Sequence, residues 1–157
     1  MDKMTREQRH RCMSSVRSKD TRPEMVVRRY LWQQGFHYRL HDRSLPGSPD
    51  IVLRRLRAVV LVNGCFWHGH EGCAKFRLPQ SNTPFWRTKI ARNRARDFRN
   101  TRLLRWMGWH VFVVWECQLE GPRRDATLAS LSLSLSRLTL RQYAIGDDTL
   151  IAAEPTP

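Results

Sequence analysis

Negative charge is what this chain most lacks: 14 Asp and Glu stand against 28 Lys and Arg in 157 residues, a formal charge of +14. So one-sided a surface repels itself unless its working partner is a polyanion, which puts nucleic acid first among partners. Lysine is scarce as well, with only Lys3, Lys19, Lys75 and Lys89. The positive charge is therefore almost all arginine, whose planar fork suits bidentate phosphate and guanine contacts. Long apolar runs are missing: Ala58 to Val62 and Val111 to Trp115 fall far short of the roughly 20 residues of a bilayer-spanning helix. No apolar segment backs the charged stretch Met1 to Arg11, and there is neither a Met-Gly start nor a terminal Cys box. No secretory signal or lipid anchor is read, no membrane partner is expected, and the cytoplasm is the expected compartment. Repeats and Gly/Ser linkers are absent too, which leaves one continuous domain.

Local punctuation gives the elements. Arg6 to Arg17 reads as a basic helix or arm, so that residues 1–20 form a basic extension. Asp20-Thr21-Arg22-Pro23-Glu24 supplies a cap, an early proline and an acidic first turn, opening a helix that Gly35 stops. Phe36, Tyr38 and Leu40 alternate with polar residues as in a half-buried strand. After the turn Leu45-Pro46-Gly47-Ser48-Pro49 come the strand Asp50 to Leu53, a bend at Arg54 to Arg57, and the apolar run Ala58 to Val62, expected as a central strand covered on both faces. Thr83-Pro84 opens a long basic helix from Phe85 to about Met107, stopped by Gly108, and Trp109 to Trp115 is expected as another buried strand. This order predicts an α/β core, a mixed sheet with helices packed on it. Leu128, Leu131, Leu135 and Leu138 predict a helix packing back on the domain, which ends near residue 145; Gly146 to Pro157 is expected to be a loose tail.

Of four cysteines, Cys65 and Cys73 bracket His68 and His70 in one loop, and Cys117 follows the strand ending at Trp115. Zinc favours tetrahedral thiolate and imidazole ligands, so Cys65, His70, Cys73 and Cys117 are the predicted set, structural because no position is left open. The plainer reading is reduced, buried thiols. Cys12 lies outside the cluster. Pro49-Asp50 at a strand entry could hold Mg²⁺ at a sheet edge facing a phosphodiester. The same residue could simply cap a strand. Glu24, Asn63 and His68 could face the same cleft.

Several ordered motifs now stand together: Arg11-Cys12-Met13-Ser14, Ser18-Lys19-Asp20-Thr21 with Glu24, Leu45-Pro46-Gly47-Ser48-Pro49-Asp50, Asn63-Gly64-Cys65-Phe66-Trp67-His68-Gly69-His70, Phe85-Trp86, and Gly108-Trp109 leading to Val114-Trp115-Glu116-Cys117. On these the chain resembles the very short patch repair (Vsr) endonucleases from about Met4 to about Gly121. The resemblance implies a single-domain PD-(D/E)xK-like nuclease, Mg²⁺-dependent, with a structural zinc site. Such an enzyme nicks double-stranded DNA 5′ of the mismatched thymine in T:G pairs left by deamination of 5-methylcytosine. It implies that Asp50 and the main-chain carbonyl of Val62 bind Mg²⁺, that His68 is the general base, and that Glu24 orients it. Asn63 falls at a further active-site position where other members can carry His. The family's zinc ligands fall on Cys65, His70, Cys73 and Cys117. Met13, Phe66 and Trp67 fall on the positions that wedge between base pairs, an insertion made cheaper by a poorly stacked wobble pair.

The second acid and the lysine of the wider fold are absent after Val60, where Leu61, Val62, Asn63 and Gly64 stand, so the chemistry must lean on His68. The arginines Arg87, Arg92, Arg94, Arg96 and Arg99 of the long helix are expected to grip phosphates. The resemblance also implies a cellular setting with a cytosine-5 methyltransferase and mismatch-repair factors, and no heptad or pairing surface suggests more than a monomer. Two other functions fit the same residues: a restriction-type endonuclease of the same fold, and a zinc-stapled DNA-binding module in which Asp50 and His68 are only structural.

Overall fold

In the computed structural model, which describes residues 4–151, helix α1 (Arg6–Ser14) starts at Thr5. The Thr5 hydroxyl accepts from the Gln8 amide, and the Gln8 side chain accepts from the Thr5 amide, a reciprocal cap. α1 buries none of its residues, so it packs as an arm rather than as core. Helix α2 (Arg22–Gln33) starts at Thr21 with Pro23 in its first turn, and Gly35, at φ +84°, follows its end. Its buried residues Glu24, Val27, Arg28 and Leu31 recur at the spacing of a single helical face. That face is half apolar and half ionic, and the ionic half belongs to the site described below.

Four strands form one sheet in the order β1 (Arg39–Leu40), β2 (Ile51–Leu53), β3 (Ala58–Asn63), β4 (His110–Trp115). β1–β2 and β2–β3 are antiparallel and β3–β4 is parallel, which is the expected mixed sheet. The parallel crossover is carried by α3 (Thr83–Trp106), as a parallel connection requires. The pleat sends alternate residues to opposite faces. Ile51, Leu53, Ala58, Val60, Val62 and Val114 pack with Val27 and Leu31 of α2 and with Leu128, Leu131 and Leu135 of the last helix, α4 (Arg123–Ile151). Val52 and Val59 face the other way, onto Leu45, Trp109 and Leu104 of α3.

Four expectations need correction. The alternation at Phe36, Tyr38 and Leu40 yields a strand of only two residues, because Phe36 and Tyr38 pack on the core without pairing to β2. β4 is an edge strand with only Val114 fully buried; its apolar run reflects one covered face and one neighbour, not burial on both sides. α3 is preceded by Asn82 in the left-handed region (φ 54°), while the Thr83 hydroxyl turns back to donate to the Pro79 carbonyl at 2.7 Å. α4 runs on through Ile151, so the boundary drawn at 145 falls inside a helix; of the stretch expected to be loose, 152–157 lie outside the described residues. Among the described residues, no helix is long and apolar enough to cross a membrane.

Candidate active site and metal centre

The β2–β3 hairpin fixes Asp50. The last pair between these strands is Ile51–Val60, and one step beyond it the Asp50 side chain takes over the role of a backbone acceptor: Oδ2 accepts from the Val62 amide at 2.7 Å. The Val62 N–H thus anchors the Asp50 side chain. Burial, followed by the nearby Glu24 carboxylate, raises the Asp50 carboxyl from 3.8 to about 6, while the Val62 amide, His41 and His68 act in the opposite sense. Placing a carboxylate where its charge is costly makes a cation its natural complement, and its second oxygen is not taken by that amide. The donor set thus fits a hard divalent ion held by oxygen.

Parallel pairing of β3 and β4 sets Asn63 beside Trp115, so both strands leave the sheet at the same end. The loop after Asn63 turns back at once, with the His68 amide donating to the Gly64 carbonyl and the His70 amide to the Cys65 carbonyl. Cys65, His70, Cys73 and Cys117 converge there, each offering one ligand atom within 4.8 Å of all the others. A tetrahedral zinc with bonds of about 2.3 Å to sulfur needs ligand separations of about 3.8 Å, so small side-chain shifts would close the shell. The His70 ring stacks on Trp115 at 4.1 Å, which orients its Nδ1 3.5 Å from the Cys117 sulfur. Burial pushes the Cys65 thiol up to about 12 and also raises Cys117, whereas the Lys75 amide lowers Cys73. A cation among them would turn even the reluctant Cys65 and Cys117 thiols into thiolates, and the residues fit a structural zinc.

The same loop carries His68, whose Nδ1 lies 2.5 Å from Oδ2 of Asp97 on α3. The loop can lie against α3 only because position 69 is glycine: at φ +61°, a Cβ there would come within 2.7 Å of Ile90 and 2.8 Å of Arg94. Asn93 also ties the loop down, donating to the Trp67 carbonyl at 2.9 Å. Phe66 and Trp67 meet edge to face at 5.2 Å, and both pack against the buried Trp86, with Lys89 over Trp67 and Trp86.

Glu24 is not the partner of His68. It is 2% exposed, and its oxygens accept from the Asp20 amide, the Thr21 hydroxyl and, at 2.9 Å, Nη2 of Arg28. The acid bonded to His68 is Asp97, which sequence reasoning missed. Its one sequence signal was being the only acid within the basic α3. Arg28 and His41 were missed as well. Asp20, Glu24 and His41 bring their ligand atoms together, but the Arg28 guanidinium bonds to all three, at 2.6, 2.9 and 2.8 Å.

A groove of about 1940 Å³ joins these parts, well above the roughly 300–1,000 Å³ of small-molecule pockets. Asp50, Glu24, Val62, Asn63, His68, Asp97, Trp67 and Met13 all line it; Phe66 does not. Of the five α3 arginines assigned to phosphates, Arg94 and Arg96 line it, and Arg94 also pairs with Glu71. Lys19, Arg22 and Lys89 line it as well.

Comparison with known proteins points the same way. A family model described as DNA mismatch endonuclease Vsr matches residues 1–75. The chain is 50% identical over 118 residues, 75% of its length and 86% of the relative's, to the type II nicking enzyme V.XorIIP of Xanthomonas oryzae pv. oryzae. It is 46% identical over 120 residues, covering 76% and 85%, to the type II nicking enzyme V.NmeAIP of Neisseria meningitidis. It is 42% identical over 123 residues, covering 78% and 76%, to the DNA mismatch endonuclease Vsr of Escherichia coli.

Proposed function

Because the chain belongs to the DNA mismatch endonuclease Vsr family, and is thus a DNA endonuclease, we propose that it nicks double-stranded DNA at T:G mismatches, 5′ of the thymine, in a Mg²⁺-dependent reaction. The observation that carries this reading is that Asp50 and His68, supplied by different strands and loops, face one groove large enough for a nucleic-acid segment.

Asp50 and the Val62 carbonyl would hold Mg²⁺, whose charge, when bound, stabilises the negative charge developing on the scissile phosphate. His68 takes the proton of the attacking water on Nε2. Its Nδ1 is already committed to Asp97, which fixes the tautomer and steadies the imidazolium that forms. Asn63 borders the same groove and contacts substrate. Met13 and Trp67, with Phe66 behind Trp67, enter the mismatched step, where unstacking costs least. Cys65, His70, Cys73 and Cys117 hold a structural zinc that keeps the loop carrying His68 and Trp67 folded. Lys19, Arg22 and Lys89 add phosphate contacts.

The test is nicking of a T:G duplex and its fully paired counterpart with Mg²⁺, by the parent and by the Asp50→Ala and His68→Ala variants. The proposal requires cutting of the mismatched duplex alone, and its loss with binding retained in both variants. Equal cutting of paired DNA would instead make the protein a restriction-type nuclease. No cutting by the parent would leave a binding module.

A further inference from the structure

An arginine cannot accept a hydrogen bond, and it stays protonated in proteins. In the 2.8 Å contact between Arg28 Nη2 and His41 Nε2 the guanidinium can only donate, so the contact as a hydrogen bond makes Nε2 the acceptor and leaves the ring proton on Nδ1; Asp20 Oδ1 and Glu24 Oε2 also lie 3.6 Å from Nε2. His41 Nδ1 in turn points at Asp50, 4.0 Å from Oδ1, the oxygen opposite the one bonded to the Val62 amide. The arrangement is anchored in depth. Arg28 is 6% exposed, and its guanidinium is held by Asp20 at 2.6 Å and Glu24 at 2.9 Å. The Tyr38 hydroxyl donates to its carbonyl. Its Nε is buried without a partner, a cost the fold accepts for the sake of the fork.

We propose that Arg28 and His41 are positioning residues for the Asp50 carboxylate: the guanidinium fixes the His41 tautomer, and the Nδ1–H so presented steadies Oδ1 of Asp50, in the carboxylate that would hold the metal. The proposal rests on the reading of Asp50 as the metal ligand. A carboxylate oxygen has lone pairs for both a cation and an N–H donor, and metal-binding carboxylates are commonly steadied by such hydrogen bonds. Closing the gap to a hydrogen bond needs a shift of about 1 Å. Arg28 thus supplies a fixed positive group beside the acid cluster from α2, in a site whose sequence lacks the lysine of the wider fold.

Two measurements test it. Nitrogen-15 NMR of the metal-free protein distinguishes the tautomers of His41 by their coupling patterns at a single neutral pH. The parent is expected to show Nδ1–H, and Arg28→Met a mixture; Nε2–H or a doubly protonated ring in the parent overturns the proposal. Should Arg28→Met fail to fold because Glu24 is left buried and unpaired, the Glu24→Leu/Arg28→Met double variant gives the same reading. The second measurement is the Mg²⁺ dependence of nicking by His41→Phe. The half-saturating concentration should rise about 10- to 100-fold, with the rate at saturation within about threefold of the parent, as for loss of a hydrogen bond behind a metal ligand. An unchanged Mg²⁺ dependence overturns the proposal. Asp50→Asn is the control: if it still nicks, the reading of Asp50 fails, while the tautomer result stands by itself.

Discussion

Asp50 sits where its own charge is penalised, and this has a measurable consequence for stability. Its carboxyl is raised from 3.8 to about 6 by burial first, so between those values the native state keeps a proton that the unfolded chain has released. Stability therefore falls as pH rises through this window, and the loss is complete above pH 6. Asp50→Asn keeps an oxygen for the Val62 amide and removes the penalty. The variant is expected to be more stable than the parent by up to about 3 kcal/mol at pH 7.5 and no more stable at pH 3.5, as read by urea unfolding at both values. Equal stability at pH 7.5 would mean that the carboxylate is well solvated. The partner of His68 is tested separately: Asp97→Asn should lower single-turnover nicking by about 100-fold or more, with mismatch binding intact. That Asp50 and His68 share one groove was legible in the sequence because each stands in a short, punctuated motif. Asp97 was not, since a lone acid in mid-helix has no local signature and acquires its meaning only when the Gly69 loop folds onto α3. Nor could the sequence reveal that Glu24 lies beside Arg28 and His41 and not His68, because the choice between two imidazoles in one groove depends on packing.

At the scale of elements, the loop from Gly64 to Asn82 contains no helix or strand, and the proposed zinc among Cys65, His70, Cys73 and Cys117 would be what holds it. Cys73→Ser, or prolonged chelation, should abolish stoichiometric zinc, lower the melting temperature and expose the loop to protease, with zinc content read by atomic absorption. Full zinc loading of the serine variant would remove Cys73 from the set. α4 contributes in the ordinary apolar way. Leu135 is fully buried against the sheet, and Leu135→Ala should cost about 2–5 kcal/mol in denaturant unfolding; a cost below that range would mean α4 is only loosely docked. The bounds of α2 were readable from Thr21-Pro23 and Gly35, whereas at Thr83-Pro84 the same punctuation misplaced the cap, which is Asn82. Strands were less so: the pattern at Phe36, Tyr38 and Leu40 records which side chains meet the core, and only position in the sheet decides whether the backbone pairs. For β4 the same limit worked in reverse, since Val111 to Trp115 is apolar enough for a central strand yet lies at an edge.

For the whole molecule, a charge of +14 makes DNA affinity a steep function of ionic strength. Each phosphate contact adds about 0.9 to the slope of log K against log salt, so Lys19→Gln and Arg22→Gln should each flatten it by about 1 and weaken matched and mismatched duplexes alike. A change in mismatch preference without a change in slope would mean that these side chains read bases instead. The parallel pairing of β3 with β4, residues 58–63 with residues 110–115, also bears on how the protein is born. Contacts so distant along the chain form late and slowly, and Cys117 must follow Trp115 out of the ribosome before the proposed zinc clasp can close. A nascent polypeptide therefore carries Asp50 and His68 without their finished sheet until residues 110–117 have emerged, so that a potentially genotoxic activity comes into being only after that whole span has been made.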